Sequence, residues 1–434
     1  MRQLRKDTVK AYQFFSLARK GGILFLGIYL AKTGWSLEKI GYWEGLLFSV
    51  TLLGSFWLEA WVKTFLTEAR EHNDQLTSLF RWIVDRVFLF ALLTGSLWWF
   101  GKSIWELFLL PHVPLDWAQP FILFAALWLP TLILPAYYLS REKAGALWLL
   151  SVYYLIGFPL SFIIFDQQYP MEYQALLGLM IWVFPLVIIL GVEYFSKYAQ
   201  QQSVNTKQVW VKWRTLLVYS LLAVMAPLID AWLVQFWYND PSVFAMFRYG
   251  ARELPLVGTL AAGLSTAMIP QFSQDWQGSL AELRTRIRRL VIFLYPPVIL
   301  IIIFAPVLYE YVFSQEFISS SYIFQIYLML TISQLLIVQP LVLARGKEKW
   351  LVQAAVGELI ANLMLSLILG YYFGVIGIAW ATVLAFIYEK AFLAYRIKRH
   401  FGIGLMRYYP KLGILMTVVL LVIYFLSTEL NHLW

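Results

Sequence analysis

Residues 284–312 read RTRIRRLVIFLYPPVILIIIFAPVLYEYV, four arginines followed by 23 residues in which Glu310 is the only charge. About 20 apolar residues in a helix cross the ~30 Å hydrocarbon core of a bilayer. Backbone polar groups cannot stay unpaired in lipid, so a run of this length reads as a membrane-crossing helix. The block before it, from Asp275 to Leu290, mixes Leu and Ile with the arginines and reads as an amphipathic helix on the membrane surface.

Outward from this run the pattern recurs. Apolar windows fall near 11–31, 42–66, 82–101, 117–138, 145–165, 172–195, 214–237, 243–271, 290–312, 320–343, 351–371, 376–395 and 412–428. Thirteen spans predict an all-α polytopic membrane protein, within a range of 12–14 helices. The 434-residue chain is 61% hydrophobic and 14% charged, far from soluble composition. Lys and Arg sort into alternate gaps. One set of gaps carries 24 of them, and the other carries Lys32, Lys39 and Lys102. The positive-inside rule then places the N-terminus in the cytoplasm of a bacterial inner membrane.

Composition also excludes. The net charge of +9 comes from residues scattered over short loops, which is topology-setting charge and not a nucleic-acid surface. With no Cys, disulfides and thiolate metal sites are ruled out. The four His (His72, His112, His400, His432) lie in loops or at the C-terminus, and no metal or nucleotide-phosphate motif is present. The N-terminus does not read as a cleaved signal, because Arg19 and Lys20 interrupt its apolar run. No extracytoplasmic loop is large enough for glycan polymerase or transferase chemistry. The reading is therefore of a non-enzyme without a bound cofactor.

The polar stretch 201–213 reads as a cytoplasmic linker between two six-helix bundles, 1–200 and 214–400, with an extra helix in 401–434. An echo supports duplication. Pro135 followed by Ser140-Arg141-Glu142-Lys143 returns as Pro340 followed by Ala344-Arg345-Gly346-Lys347. Parallel repeats about an axis along the membrane normal are a common transporter plan.

Charges within spans cost at least ~2.5–3.5 kcal/mol each and call for a partner, a wet cavity or a function. Arg19 and Lys20 fall mid-span. Glu59 and Lys63, one turn apart, form either a self-satisfied pair or part of a site. Asp230 either neutralises Arg248 or Arg252 or serves a function. Arg248 and Arg252 stand at i, i+4 and are expected on one helix face, with Glu253 beside them. Glu358 and Asn362 form a second i, i+4 pair. Asp85, Arg86, Glu193, Glu389 and Lys390 are expected to reach for headgroups.

Several stretches resemble a known family. They are Gly41-Tyr42 opening span two, Ala226-Pro227-Leu228-Ile229-Asp230, Phe247-Arg248-Tyr249-Gly250, and Met268-Ile269-Pro270-Gln271-Phe272-Ser273. Tyr311-Val312-Phe313, Ala344-Arg345-Gly346-Lys347, Asn362 and Gly374-Val375-Ile376-Gly377-Ile378-Ala379 continue the series. In order and spacing they resemble the Wzx-type polysaccharide flippases of the multidrug/oligosaccharidyl-lipid/polysaccharide (MOP) exporter superfamily. A thirteenth span, and Phe313-Ser314 in place of Phe-Gly, depart from the pattern.

The resemblance implies two bundles related by a pseudo-two-fold axis, moving an undecaprenyl-diphosphate-linked oligosaccharide to the periplasmic leaflet by alternating access. It implies diphosphate binding by Arg19, Lys20, Lys63, Arg248 and Arg252. Asp230, Glu253, Glu59 and Glu358 would balance charge or couple transport to a proton or sodium gradient. The protein would act as a monomer beside glycan polymerase and assembly proteins. The competing reading is a cation-coupled multidrug antiporter of the same superfamily.

Overall fold

The computed structural model describes residues 6–71, 75–100, 115–164, 171–196, 205–252 and 254–431. The described residues of each of the thirteen apolar windows are mostly helical, and no strand occurs among the described residues. Nine helices there are long and apolar enough to cross a membrane. The protein is thus an all-helical, multi-pass membrane protein.

Contacts divide the chain into two compact units, Met1–Leu228 with Gln235–Ser242, and Ile229–Val234 with Val243–Trp434. The first unit holds α1 (Lys6–Lys32), α2 (Leu37–Glu71), α3 (Leu76–Phe100) and α4 (Leu115–Thr131). It continues with α5 (Leu134–Ser140), α6 (Ala144–Val152), a π-turn (Tyr153–Gly157), α7 (Phe158–Ile163), α8 (Met171–Phe195) and most of α9 (Thr206–Tyr238). Helix α1 buries a stripe of Ala11, Phe15, Ala18, Gly22, Leu26 and Leu30, spaced by threes and fours as one helix face requires. The stripe packs on α6, the π-turn and α7. Contact is closest at Gly22, where an added Cβ would overlap the Tyr154 carbonyl oxygen. An aromatic hub joins α2, α3 and α9. Fully buried Trp61 stacks on Trp213 at 4.8 Å and meets Trp82 and Trp210 edge-on.

The second unit holds α10 (Pro241–Gly250, from Val243 on), α11 (Pro255–Gln274), α12 (Trp276–Val312), α13 (Ile318–Leu328), α14 (Leu330–Gln334), α15 (Gln339–Leu343), α16 (Glu348–Phe401) and α17 (Lys411–Asn431). Three expectations change here. The arginine-rich block of residues 275–290 is not a separate surface helix. It is the first two-fifths of α12, a 37-residue helix capped at Asp275, whose carboxylate accepts from the Gly278 amide at 3.0 Å. At 1.5 Å per residue α12 is about 55 Å long, so one end stands well clear of the hydrocarbon.

Span eight is broken into α10 and α11. Pro255 disfavours helical geometry at the residue before it, and Leu254 is extended at φ −73°, ψ 107°. Spans eleven and twelve form one element, α16, folded at Gly374 (φ 61°, ψ −143°), a conformation only glycine adopts readily. Its arms pack antiparallel. Arg396 donates to Gln353 at 3.2 Å, and the Trp350 and His400 rings sit 4.7 Å apart.

The sequence echo reappears as backbone geometry. After α5 the Lys143 amide donates to the Tyr138 carbonyl at 2.9 Å, and after α15 the Lys347 amide donates to Val342 at 3.1 Å. In each turn the preceding residue is left-handed, Glu142 at φ 56° and Gly346 at φ 62°. These are the same helix-ending turn, built once with glycine and once without.

Candidate functional site

In the first unit the candidate cations sit on α1 and α2. Arg19 and Lys20 are both exposed, but neighbouring helix positions are about 100° apart and do not face the same way. Arg19 flanks the buried stripe and lies within electrostatic reach of the Tyr12 and Tyr154 hydroxyls. Lys20 points away from that stripe. Glu59 is also within reach of Tyr12.

Glu59 pairs with Lys63 at 2.8 Å, and the Lys63 ammonium bonds the Ser220 hydroxyl of α9 at 3.2 Å. The pair is therefore not closed on one helix. It is tied to α9, which a second pair, Lys212 with buried Glu68 at 2.7 Å, also joins to α2. Ser220 and Glu68 had no place in the sequence reading, and Lys212 counted there only among the topology-setting charges. A serine mid-span, or a glutamate and lysine 144 residues apart, carries no local signal.

Other charges expected to reach for headgroups have specific partners. Asp85 accepts from the Tyr194 hydroxyl at 2.8 Å, and Arg86 lies over the Trp82 ring. Glu193 pairs with Lys143 at 3.0 Å. Arg81 donates to the Tyr194 and Ser196 carbonyls at 2.6 Å each, neutralising the C-terminal end of α8.

In the second unit, Arg248 is half-buried in the last turn of α10, where a cation suits the helix dipole. Arg252 lies beyond the helix end, its amide bonded to the Gly250 carbonyl at 2.8 Å. The expectation of one shared helical face therefore fails, because the helix stops before Pro255. The Arg252 guanidinium instead lies 4.3 Å from the Tyr249 ring centre and 5.8 Å from that of Phe313. Tyr249 is fixed in turn by Phe317, stacked at 4.3 Å, and by Tyr309, whose hydroxyl donates to the Tyr249 carbonyl at 2.8 Å. Gly250 permits this packing, since a Cβ there would meet Ile323 and the Ser320 carbonyl. The result is an arginine held by aromatic faces. Glu253 lies outside the described residues.

Asp230, 2% exposed, makes no ion pair among the described residues, so the lock with Arg248 or Arg252 is not formed. Its Oδ2 accepts from the Tyr327 hydroxyl at 2.7 Å and from the Thr382 hydroxyl. Asn362, fully buried, lies close enough to interact with Asp230, yet the Asn362 Nδ2 and Asp230 Oδ1 make no hydrogen bond. One turn away along α16, Glu358 is 6% exposed, and its Oε1 is also unpartnered. The Ser366 hydroxyl donates to the Asn362 side-chain Oδ1 at 3.0 Å.

Lys390 and Glu389, expected at the headgroups, are instead largely buried and paired at 2.7 Å within electrostatic reach of Glu358. Burying ionisable groups beside neutral donors and unsatisfied oxygens is costly, which sets this cluster apart from ordinary packing. No group of three His, Cys, Asp or Glu occurs among the described residues, so a transition-metal centre has no basis there. Tyr327 and Thr382 escaped sequence reading because hydroxyls are common in spans. Only Asp230, Glu358 and Asn362 carried a signal.

Comparison with known proteins bears on the fold and the family. Residues 144–434 match the family described as "Lipid II flippase MurJ". No curated protein matches the chain. Among solved structures, a lipid II flippase MurJ in an inward closed conformation is 16% identical, with a TM-score of 0.69 over 98% of this chain and 99% of that one. A mutant of the Vibrio cholerae MATE transporter VcmN is 13% identical, TM-score 0.55, over 92% and 99% of the two chains. A MOP superfamily transporter from Pyrococcus furiosus is 12% identical, TM-score 0.55, over 92% and 98%. At these identities the structures speak to the fold.

Proposed function

Since this chain belongs to the MurJ lipid II flippase family of the MOP superfamily, we propose that it carries an undecaprenyl-diphosphate-linked oligosaccharide from the cytoplasmic to the periplasmic leaflet by alternating access. Family membership makes it a flippase of lipid-linked substrates, a transporter and not an enzyme. The match over residues 144–434 carries the reading. It supports the superfamily expected from sequence and a lipid-linked cargo, whereas the Wzx-type specificity for a surface polysaccharide belongs to the proposal.

Diphosphate binding is assigned to Arg19, Lys63, Arg248 and Arg252, with Lys20 in a lesser role because it points away from Arg19. Guanidinium edges pair with phosphate oxygens in bidentate geometry while the plane stacks on an aromatic ring, and Arg252 has that stacking in place. Coupling is assigned to Asp230, Glu358, Asn362, Tyr327 and Thr382, which offer carboxylate, amide and hydroxyl oxygens to a proton or sodium ion. Glu59 holds Lys63, and Glu253 keeps its expected charge-balancing role. The bundles 1–200 and 214–400, the linker 201–213 and the added helix 401–434 remain the organisation proposed, with the N-terminus cytoplasmic.

The test is flipping of a fluorescent undecaprenyl-diphosphate oligosaccharide in proteoliposomes, read as quenching from the far leaflet under imposed sodium or proton gradients. Gradient-dependent transfer supports the reading, and no transfer above protein-free vesicles sinks it. A second reading, lipid II as the cargo, takes support from the family's own name. Complementation separates the two. Rescue of cells depleted of their lipid II flippase selects lipid II, whereas loss of surface glycan on deletion selects the polysaccharide. Drug resistance conferred on a pump-deficient host is the outcome that favours the antiporter alternative.

A further inference from the structure

A cavity of about 780 Å³ opens in the second unit between the first turns of α12 and the segment leading into α17. Four cations line it, Arg284 and Arg288 from α12 with Arg407 and Lys411 from across the gap, together with Thr285 and Met406. No carboxylate is among its lining residues. Arg284 and Arg288 stand at i, i+4 on unbroken helix, so they do share a face. Among the described residues, none of the four cations forms an ion pair or side-chain hydrogen bond. The one acid nearby on α12, Glu282, is taken by Arg286 on another face. Four like charges gathered without counter-charge repel one another, and that arrangement is stabilised by an anion.

The height of the cavity specifies which anion. Arg288 precedes by two residues the apolar run starting at Leu290, and Lys411 immediately precedes the run starting at Leu412. Both helices enter hydrocarbon within a turn of their cations, so the cavity sits at headgroup level. Its walls are held together. The Tyr295 and Thr417 hydroxyls bond at 2.9 Å between α12 and α17. Next to Arg407 in sequence, Tyr408 and Tyr409 are buried, and Gly413 lets the Tyr409 ring pack against the start of α17. Exposed Met406 adds apolar surface at the rim, where an acyl chain would begin.

We infer that this cavity binds the phosphate headgroup of an anionic phospholipid, apart from the cargo and coupling sites. Basic pockets between membrane helices on the cytoplasmic side are suited to such headgroups, at roughly fivefold in affinity per cation. On the proposed topology the cavity faces the cytoplasmic leaflet.

The test is native mass spectrometry of the full chain in detergent, titrated with phosphatidylglycerol, phosphatidylcholine, undecaprenyl diphosphate or inorganic pyrophosphate. The wild type is expected to bind phosphatidylglycerol at least tenfold more tightly than phosphatidylcholine. R284Q/R288Q is expected to lose roughly 25-fold of that affinity, and R286Q, whose guanidinium is occupied by Glu282, to stay within twofold. R407Q/K411Q provides a second pair from the opposite wall, and melting in lipid-free detergent verifies that each variant is folded. Undiminished phosphatidylglycerol binding in both folded double variants overturns the inference. So does pyrophosphate bound as tightly as the phospholipid, which makes this a soluble-anion site, or preferential binding of undecaprenyl diphosphate, which makes it a cargo site.

Discussion

The two units handle charge in opposite ways. In the first, Arg19 and Glu59 are exposed and Lys63 is a third exposed, with Lys63 paired to Glu59 and bonded to the Ser220 hydroxyl. In the second, Asp230, Glu358 and Asn362 are nearly or wholly buried, and Asp230 is held by the Tyr327 and Thr382 hydroxyls without an ion pair among the described residues. An exposed cation can exchange partners at little cost, as binding and releasing a bulky anion requires. A buried carboxylate with an unpartnered oxygen cannot stay charged cheaply, as suits a small ion that enters, neutralises and leaves. On the proposed function, cargo binding belongs to the exposed kind of environment and energy coupling to the buried one.

The largest effect expected from breaking this contrast is at Asp230. Asp230→Asn keeps the shape and both hydroxyl contacts but removes the titrating charge. Gradient-driven flipping in proteoliposomes is expected to fall by roughly 100-fold or more, since a buried charge interaction is worth several kcal/mol. Retained gradient dependence in that variant would mean the second unit does not couple. Next comes Arg252. Arg252→Ala is expected to weaken binding of undecaprenyl diphosphate, measured by titration, by about 10- to 100-fold, the range of a charge-assisted hydrogen bond. Arg252→Lys should recover little of it, because an ammonium has no planar fork to stack on Tyr249.

A stability comparison sharpens the account of the first unit. Gly22→Ala forces a Cβ into the Tyr154 carbonyl and is expected to cost about 1–3 kcal/mol, seen as a lower melting temperature in detergent. Gly191→Ala, with nothing within 4 Å of its Cβ, should be neutral or stabilise by about 0.5–1 kcal/mol. The smallest effect separates neighbours on α1. Arg19→Gln is expected to weaken diphosphate binding about tenfold, and Lys20→Gln less than about twofold, because the two side chains diverge. Equal effects would erase the distinction between them.

The spans were legible because apolar length is a strong signal, and the described residues of every window are mostly helical. The paired turns after α5 and α15 were legible too, since their shared Pro, Arg and Lys positions mark one backbone design. The break between α10 and α11 was hidden by continuous hydropathy, although Pro255 announced it. Continuity failed as a guide in the other direction at Gln277–Arg289, where a change from polar to apolar composition looked like an element boundary but the helix runs through. Site residues followed the same logic. Charges in spans stand out by cost, so Asp230 and Glu358 could be picked. Their hydroxyl partners Tyr327 and Thr382 come from other helices, and nothing local distinguishes them from packing residues.

The fold of α16 at Gly374 has a consequence for how this chain can change over time. Glu358 and Asn362 lie on one arm and Thr382 on the other, so the glycine sets their relative phase. Inserting or deleting a single residue between 362 and 382 rotates one arm by about 100° and points Thr382 away from Asp230. Length in that stretch is therefore as constrained as any ligand's identity, while the turn at Gly402, outside both arms, can absorb insertions without disturbing the cluster.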